Sequence, residues 1–469
     1  MVFANVLVKP IWILLIDRTV QNRVGPEHYG TYNALLSLSI IFSILLDLGI
    51  TNFNNREVAY DRKKIASLYS NILSIKFMLS IFYLLILIAL AWLSDYNQQA
   101  FLLLFFVGLL QILNSYLQYL RSNVSAFHHF KLDSFLSVFD KIIVIILCSY
   151  FLFFYKNASF FSIQLFVYIQ CIGYLTAILF ALFITHKRYS TFAFQNIKWK
   201  DIKSITKKTI PYALLIFLMA TYMRSDSYLL ERIDSPYQNG IYAQAYRILD
   251  IFNMFGFLFA GVLLPMFSRM AMEKKMIANI LKQSSFILLP FALAISAHSV
   301  FYAKDIMQLL YINTPNELFV IYKIVILTLP AFCLMHIYST LLTATQHIKQ
   351  LIHIALFCSL VSITLNFIWI PQWHAIGAAW VAFVVEWLAA LLYIYFNLKL
   401  NGLQILISRI ARLLFFFILF LILNYFLNHF LQIPLLYSII ANSIIFFIAV
   451  LLMKFWDKND LFAFVNFKK

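Results

Sequence analysis

Ionisable side chains lie inside long apolar stretches of this sequence, and their types and spacing indicate what chemistry they could support. The densest group comprises Arg224, Asp226, Arg247 and Asp250. Arg247 and Asp250 stand at i and i+3, so on a helix they share a face and are either a structural ion pair or part of a site. Arg224 and Asp226 are two residues apart and point in different directions. A charged group in lipid costs several kcal/mol unless it pairs or meets water, so each needs a reason to be there.

Cations slightly outnumber acids in these stretches, which favours an anionic ligand such as a pyrophosphate or an acidic sugar. The predicted ligand-binding residues are Arg224, Arg247, Arg18, Lys9, Arg56 and Arg269. The predicted coupling or gating acids are Asp226, Asp250, Asp17 and Glu386. Structural alternatives exist: arginines at helix ends anchor topology, a lysine near a helix end snorkels, and a buried glutamate bonds to a neighbouring helix. His336 is predicted to be a satisfied core residue.

The composition requires these residues to be carried on membrane helices. Hydrophobic residues make up 63% of the chain and charged residues 12%, and the mean hydropathy is +0.85, so most of the surface must face lipid. A soluble enzyme, a disordered chain and a secreted disulfide scaffold are thereby excluded. The net charge of +17 indicates basic cytoplasmic loops and not nucleic-acid binding. The four cysteines lie in apolar runs and are predicted to be buried hydrophobes.

Runs of about 20 apolar residues predict an all-α polytopic membrane protein with fourteen spans. They lie near residues 2–20, 31–52, 66–93, 100–121, 134–155, 160–185, 209–230, 240–268, 278–302, 319–344, 350–370, 375–398, 406–428 and 434–455. About 25 basic residues fall in loops after even-numbered spans and about five in the other loops. This bias predicts that both termini are cytoplasmic.

A short internal repeat predicts two lobes. The Gly-X-Tyr triplets at 30–32 and 240–242 open the second and eighth spans, each after a turn that carries a proline. An acid precedes each glycine, Asp17 by 13 residues and Asp226 by 14. Repeats of this kind flank a central site. The predicted units are an N-lobe at 1–186, a basic cytoplasmic linker at 187–208 on the membrane surface, a C-lobe at 209–400, and two further helices with a cytoplasmic tail at 401–469.

The sequence lacks the motifs of an enzyme. It contains no P-loop, no nucleophile elbow, no metal motif and no paired carboxylates in an extramembrane loop. No loop is long enough to hold a catalytic subdomain. We therefore predict a transporter with no catalytic residue, no metal and no organic cofactor.

Several segments resemble the bacterial polysaccharide and O-antigen flippases, the polysaccharide-transport branch of the multidrug/oligosaccharidyl-lipid/polysaccharide exporter superfamily. The run from Asp17 into 25–32 (Gly-Pro-Glu-His-Tyr-Gly-Thr-Tyr) is similar to the family's first periplasmic turn. The other matching segments are Asp47-Leu48-Gly49 with Arg56-Glu57, Gly240-Ile241-Tyr242 through Arg247, Leu264-Pro265 through Ser268-Arg269, and Asn366, Pro371 and Ile376-Gly377-Ala378-Ala379. The resemblance rests on the order of these segments along a chain with fourteen predicted spans.

The resemblance implies two six-helix lobes in a V, with the last two helices appended. It implies a flippase that moves a lipid-linked oligosaccharide, typically on undecaprenyl pyrophosphate, to the outer leaflet of a bacterial inner membrane. Alternating access through a cationic cavity and a proton or sodium ion as coupling ion are implied as well. The abrupt start of the first helix departs from the usual family pattern, and this departure bears on the geometry of that helix and on the role of Lys9.

The partners implied by this resemblance are the lipid-linked oligosaccharide, membrane lipid, and a polysaccharide polymerase with its assembly proteins. Two alternatives stay open. The first is an ion-coupled multidrug exporter of the same superfamily, which the arginines argue against but which Asp226, Asp250 and Glu386 keep open. The second is a membrane enzyme of the polymerase or ligase type that acts on lipid-linked glycan.

Overall fold

The computed structural model describes residues 8–61, 65–155, 160–188, 199–272, 277–312, 314–402, 407–453 and 455. Within these residues the protein is helical and contains no β-strand. Its α-helices, in chain order, are α1 (Arg18–Phe42), α2 (Ile50–Tyr60), α3 (Ile65–Leu93), α4 (Gln98–Ala126), α5 (Phe130–Ser149), α6 (Ile163–Arg188), α7 (Trp199–Ile233), α8 (Pro236–Met272), α9 (Ala278–Phe301), α10 (Ala303–Leu310), α11 (Asn316–Ile326), α12 (Leu329–Ala344), α13 (Ile348–Asn401), α14 (Ile407–Tyr425) and α15 (Leu435–Leu452). Short π-helical or 3-10 segments lie at Trp12–Asp17, Ser43–Leu46, Tyr150–Phe154 and Phe426–Phe430.

The described helices confirm the fourteen predicted spans. Among the described residues, eleven helical segments are long and apolar enough to cross a membrane. Two of these segments hold two spans each, because non-helical backbone at Gly25 divides Val8–Leu46 and at His374 divides Ile348–Asn401. The remaining predicted span lies in α7. This helix begins already at Trp199, so the last part of the expected surface segment is continuous with the seventh span.

The first turn is made by Gly25 and Pro26. Gly25 adopts a φ of 82°, which only glycine allows at no steric cost, and the fixed φ of Pro26 suits the first turn of the next helix. The predicted gap between the first two spans, residues 20–31, was therefore too long. Asp17 lies inside the first helical span and not in the turn.

The second span is interrupted, which the sequence analysis did not predict. After the 3-10 segment, Leu48 has a φ of 44° and Gly49 a φ of 82°, and α2 then continues to Tyr60. Asp47 accepts hydrogen bonds from the backbone N–H and the hydroxyl of Thr51, so its carboxylate caps α2. Irregular backbone at membrane depth is tolerated only where protein groups satisfy it, so this break requires polar neighbours.

A second break joins the eleventh and twelfth spans at the place that the sequence predicted. His374 has a φ of 53° there, and the two halves of α13 meet tightly beyond it. A Cβ on Gly377 would lie 2.3 Å from the carbonyl oxygen of Trp369. Glycine is required at this position because the backbones touch.

The chain divides into two compact units, Met1–Ala243 and Gln244–Lys469. In the first unit, α4 packs against α6 and α1 packs along α7. In the second unit, α13 packs against α12, and α9 packs against α12 and α14. Because α7 packs on α1, the seventh span falls in the first compact unit, beyond the predicted linker at 187–208. Residues 189–198 of that linker lie outside the described residues, and the assignment of six spans to each lobe stays a prediction.

The two Gly-X-Tyr triplets contact each other inside the first unit. A Cβ on Gly30 would lie 1.8 Å from the carbonyl oxygen of Pro236, and a Cβ on Gly240 would lie 1.9 Å from that of Pro26. The two contacts are equivalent under the repeat, since each proline stands four residues before its glycine. This reciprocity supports the predicted repeat, and it requires glycine at both positions because no side chain fits.

We expect Gly30→Ala and Gly240→Ala each to destabilise the folded protein by about 2–3 kcal/mol, because the added methyl group would overlap a backbone carbonyl. Gly261 is a matched control, since no atom lies within 4 Å of the place its Cβ would occupy in α8. Gly261→Ala should be neutral or stabilising by up to about 1 kcal/mol. Thermal unfolding of the purified protein in detergent measures all three, and equal midpoints would contradict the close approach.

Candidate functional site

Two buried aspartates occupy corresponding places in the repeat. Asp17 accepts hydrogen bonds from Gln21 Nε2 at 2.9 Å and from the Tyr29 hydroxyl at 2.8 Å. Asp226 accepts one from the Tyr242 hydroxyl at 3.3 Å. Both aspartates are 4% exposed. Each carboxylate is thus held by a tyrosine from the span that follows it, and these hydrogen bonds offset part of the cost of burial.

The fifth span carries a cation cluster that the sequence analysis missed. Lys141 Nζ lies 3.3 Å from Asp140 Oδ2 and 3.4 Å from the Tyr174 hydroxyl. It also faces the rings of Trp12 and Tyr174, at 5.2 Å and 4.9 Å from their centroids. The aromatic faces and the carboxylate together stabilise the ammonium. The adjacent Asp140 and Lys141 inside an apolar run were the signal that could have identified the cluster.

A second missed ion pair joins the fourth and fifth spans. Arg121 Nε donates to Asp133 Oδ1 at 2.8 Å, with side-chain exposures of 11% and 7%. The two residues lie on either side of the α4–α5 turn, so they meet only when α4 and α5 fold back on each other. Helical spacing within one span therefore gives no signal for this pair.

Lys76, on α3, donates hydrogen bonds to polar groups at the break in the second span. Its ammonium donates to the Leu46 carbonyl at 3.1 Å, to the Asp47 carboxylate at 2.8 Å and to the Ser115 hydroxyl at 2.7 Å. The Lys76 side chain is 1% exposed, so these oxygens replace its hydration shell. The ammonium bonds a carbonyl at the break and neutralises the carboxylate that caps α2.

Arg224 and Lys9 are predicted ligand-binding residues that form no ion pair within the part of the chain that the structure describes. Both residues are half-buried. Lys9 is repelled by the charges of Lys141 and Arg121 and attracted by that of Asp140. A half-buried cation in this setting is stabilised by water or by an anion. Lys9 and Arg224 are thus half-buried cations without an ion pair among the described residues.

The predicted pair on α8 is confirmed. Arg247 Nη1 lies 3.1 Å from Asp250 Oδ2, and their side chains are 17% and 23% exposed. The guanidinium of Arg247 is therefore already partly neutralised, unlike that of Arg224. Glu386, the remaining predicted acid, is 2% exposed within the second half of α13.

The other predicted cations differ in their surroundings. Arg18 is half-buried next to Asp17 in the sequence, and Arg269 is exposed near the end of α8. Arg56 lies on α2, but its side chain lies outside the described part of the structure. The first compact unit thus contains Lys9, Arg18 and Arg224, whereas Arg247 and Arg269 belong to the second.

His336, predicted to be a satisfied core residue, is half-buried and hydrogen-bonded to a neighbouring helix. His336 Nε2 lies 2.9 Å from Asn253 Oδ1, which joins α12 to α8. A Cβ on Gly256 would lie 2.6 Å from His336 Cδ2, so the glycine makes room for the imidazole. Packing and hydrogen bonding alone therefore account for the presence of His336 in this apolar helix.

A further polar cluster in the second unit holds the last two spans. His298 Nδ1 lies 3.1 Å from Asn424 Oδ1 and 3.2 Å from Asn442 Nδ2. The two asparagines bond to each other at 2.9 Å. The three side chains come from α9, α14 and α15, and the sequence analysis did not single them out. Three isolated polar residues in apolar runs were the available signal.

The arrangement of the membrane-spanning helices is similar to that of several solved membrane proteins. The lipid II flippase MurJ in an inward closed conformation is 13% identical, with a TM-score of 0.76 over 95% of this chain and 97% of that chain. A MOP superfamily transporter from Pyrococcus furiosus is 13% identical, with a TM-score of 0.61 over 86% and 94%. A MATE structure in complex with MaD3S is 15% identical, with a TM-score of 0.55 over 85% and 96%. At these identities the likeness is one of fold.

The sequence itself places the chain in a family. The family described as polysaccharide biosynthesis protein matches residues 15–271, more than half of the 469 residues. The chain belongs to this family. No curated protein matches it in sequence.

Replacing Lys76 tests how much this lysine stabilises the break in the second span. We expect Lys76→Met to destabilise the protein by about 3–5 kcal/mol, because it leaves Asp47 charged and largely without its counter-ion. The double variant Lys76→Met/Asp47→Asn should recover much of that loss, since both charges are gone. Unfolding in detergent measures the cycle. Lys304→Met, at an exposed position, is the control. Strictly additive losses would show that Lys76 and Asp47 do not depend on each other.

Proposed function

We propose that this protein is a flippase that moves an anionic, lipid-linked oligosaccharide across a bacterial inner membrane. The observation that carries the proposal is the pair Arg224 and Lys9, half-buried cations without an ion pair in the described part of a polysaccharide biosynthesis family member. An anionic headgroup would supply the missing partner. A guanidinium binds a phosphate through two parallel hydrogen bonds, and an ammonium binds it as a point charge.

Three features favour transport over catalysis. The charged residues described above lie within or beside membrane spans, where a lipid-linked substrate would pass. The fold is similar to that of a flippase and of transporters. The internal repeat is typical of proteins that work by alternating access around a site between repeats. In this proposal the headgroup occupies a cationic site while the lipid chain stays in the membrane.

The finer assignment is an oligosaccharide on undecaprenyl pyrophosphate, either an O-antigen unit or another surface polysaccharide unit. Both termini are cytoplasmic, and the substrate moves from the inner to the outer leaflet. A polysaccharide polymerase with its assembly proteins then uses the delivered unit. The basic loops support this orientation through the positive-inside bias.

A proton or sodium gradient drives the movement in this proposal. Asp17 and Asp226 are the favoured coupling residues, because each is buried and bonded to a tyrosine of the following span. A buried carboxylate changes its bonding when it gains a proton or a cation, so it can link ion binding to helix position. Glu386 is a further candidate because it is buried, and Asp250 is another because a gained proton or cation would weaken its pair with Arg247.

Replacing both unpaired cations should stop transport without removing the protein from the membrane. In cells that lack the native gene, Lys9→Ala/Arg224→Ala should leave lipid-linked oligosaccharide on the cytoplasmic leaflet and lower the surface glycan to background. Arg224→Lys keeps the charge but loses the planar fork, so we expect an intermediate loss of about tenfold. The measurement isolates the lipid-linked pool, determines which leaflet holds it, and quantifies the surface glycan.

Two controls make the result interpretable. Lys304→Ala removes an exposed cation and should export normally, and a membrane immunoblot should find every variant at the wild-type level. Normal export by the double variant would refute the assigned cations. Unchanged sidedness of the lipid pool after deletion of the gene, together with altered drug resistance, would instead favour the multidrug exporter.

A further inference from the structure

The ammonium of Lys76 lies in a shell of oxygen atoms at the break in the second span. Three oxygens contact it: the Leu46 carbonyl at 3.1 Å, Asp47 Oδ1 at 2.8 Å and the Ser115 hydroxyl at 2.7 Å. Together these ligands carry one negative charge, which balances the single positive charge that they surround. Carboxylate and backbone carbonyl oxygens are also the ligands that proteins use to hold hard cations.

The break itself supplies the carbonyl of this shell. In a continuous helix the Leu46 carbonyl would accept the N–H of Ile50, but that N–H donates to the Asp47 carbonyl at 2.8 Å. The Leu46 carbonyl is thereby released from the helix and turns to the Lys76 ammonium. Unwound carbonyls of this kind coordinate ions in transporters with discontinuous helices.

The oxygen shell is held in place by contacts that do not involve Lys76. The Ser115 hydroxyl donates to the Leu46 carbonyl at 3.2 Å, which joins two of the three ligands. Asp47 Oδ1, the third ligand, accepts the backbone N–H of Thr51 at 3.3 Å and also its hydroxyl. Removing the lysine side chain would therefore leave the three oxygens close to their present positions.

The shell is closed around the ammonium and open at the carboxylate. The Lys76 side chain is 1% exposed, whereas that of Asp47 is 27% exposed. A carboxylate at membrane depth is stable only where it is paired or faces water. An ion from solution could therefore reach the shell along Asp47 if the lysine were absent.

The second buried lysine pair has different surroundings. Lys141 Nζ lies 3.3 Å from Asp140 Oδ2 and 3.4 Å from the Tyr174 hydroxyl, and the rings of Trp12 and Tyr174 face it. These polar contacts are longer than those of Lys76, and aromatic faces provide part of the stabilisation. An ordinary buried ion pair in this protein thus lacks the short carbonyl, carboxylate and hydroxyl contacts found at the break.

We propose that the break in the second span is a binding site for a monovalent cation, and that Lys76 fills it with an ammonium carried on the chain itself. The break therefore needs no ion from solution. A chain without this side chain would present an empty site of the same chemistry. Ammonium and potassium ions, which are similar in size to the head of a lysine, are its expected ligands. The inference goes beyond the proposed function, because no substrate or transport step enters it.

Lys76→Ala tests the site, because it removes the ammonium and its stem and keeps the three oxygen ligands. In the purified variant in detergent, potassium or ammonium chloride at roughly 300 mM should raise the midpoint of thermal unfolding by about 3–6 °C over choline chloride at the same concentration. The wild-type protein should respond to the three salts alike, since its site is already filled. Equal midpoints of the variant in all three salts would overturn the proposal.

Two variants control for effects of these ions elsewhere on the protein. Lys76→Met keeps a long apolar side chain in the place of the stem, so no ion can enter. Lys76→Ala/Asp47→Asn leaves the space open but removes the anionic ligand. Neither variant should distinguish potassium or ammonium from choline. A rise in either control as large as that of Lys76→Ala would refute the site.

Accumulation in the membrane gives an answer even if the single variant cannot be purified. Potassium is the main cation of the cytoplasm, so a working site would be filled during synthesis. Lys76→Ala and Lys76→Ser, which both leave the space open, should therefore reach the membrane. Absence of both from a membrane immunoblot that detects Lys76→Ala/Asp47→Asn would show that the shell holds no free cation and would refute the proposal. None of these measurements involves glycan, so either result leaves the flippase assignment to its own test.

Discussion

A charged group in lipid must find its partner inside the protein, and this requirement organises the first compact unit. Lys76 with Asp47, Arg121 with Asp133 and Lys141 with Asp140 are cations and acids that meet within or between membrane helices. Lys76 with Asp47 and Arg121 with Asp133 join different helices, so keeping each of these pairs together helps to hold those helices in register. Breaking one pair would leave a charge whose burial costs several kcal/mol.

The same requirement explains why irregular backbone is tolerated in the second span. The break at Leu48 and Gly49 would expose carbonyl groups to an apolar environment. Lys76 bonds one of them and Asp47 together, so a single ammonium both satisfies the backbone and neutralises the carboxylate that starts α2. Discontinuous membrane helices occur in transporters for this reason, because polar groups in the protein interior replace water.

Because most of the interior charges are paired, the cations that form no ion pair require a separate explanation. Arg224 and Lys9 are half-buried, and neither forms an ion pair among the described residues. A half-buried cation without a partner is costly, and the function proposed above assigns an anionic headgroup to these two residues.

Sequence alone determined the membrane character, the fourteen spans and the repeat, because hydropathy, span length and the Gly-X-Tyr spacing are local properties of the chain. It also identified Arg247 with Asp250, since i and i+3 on one helix share a face. It could not identify Arg121 with Asp133, Lys76 with Asp47, or the reciprocal contact of Gly30 and Gly240. Those partners come from different helices, and which helices touch depends on packing in three dimensions. Tertiary structure therefore decided which buried charges are neutralised by a partner and which form no ion pair among the described residues.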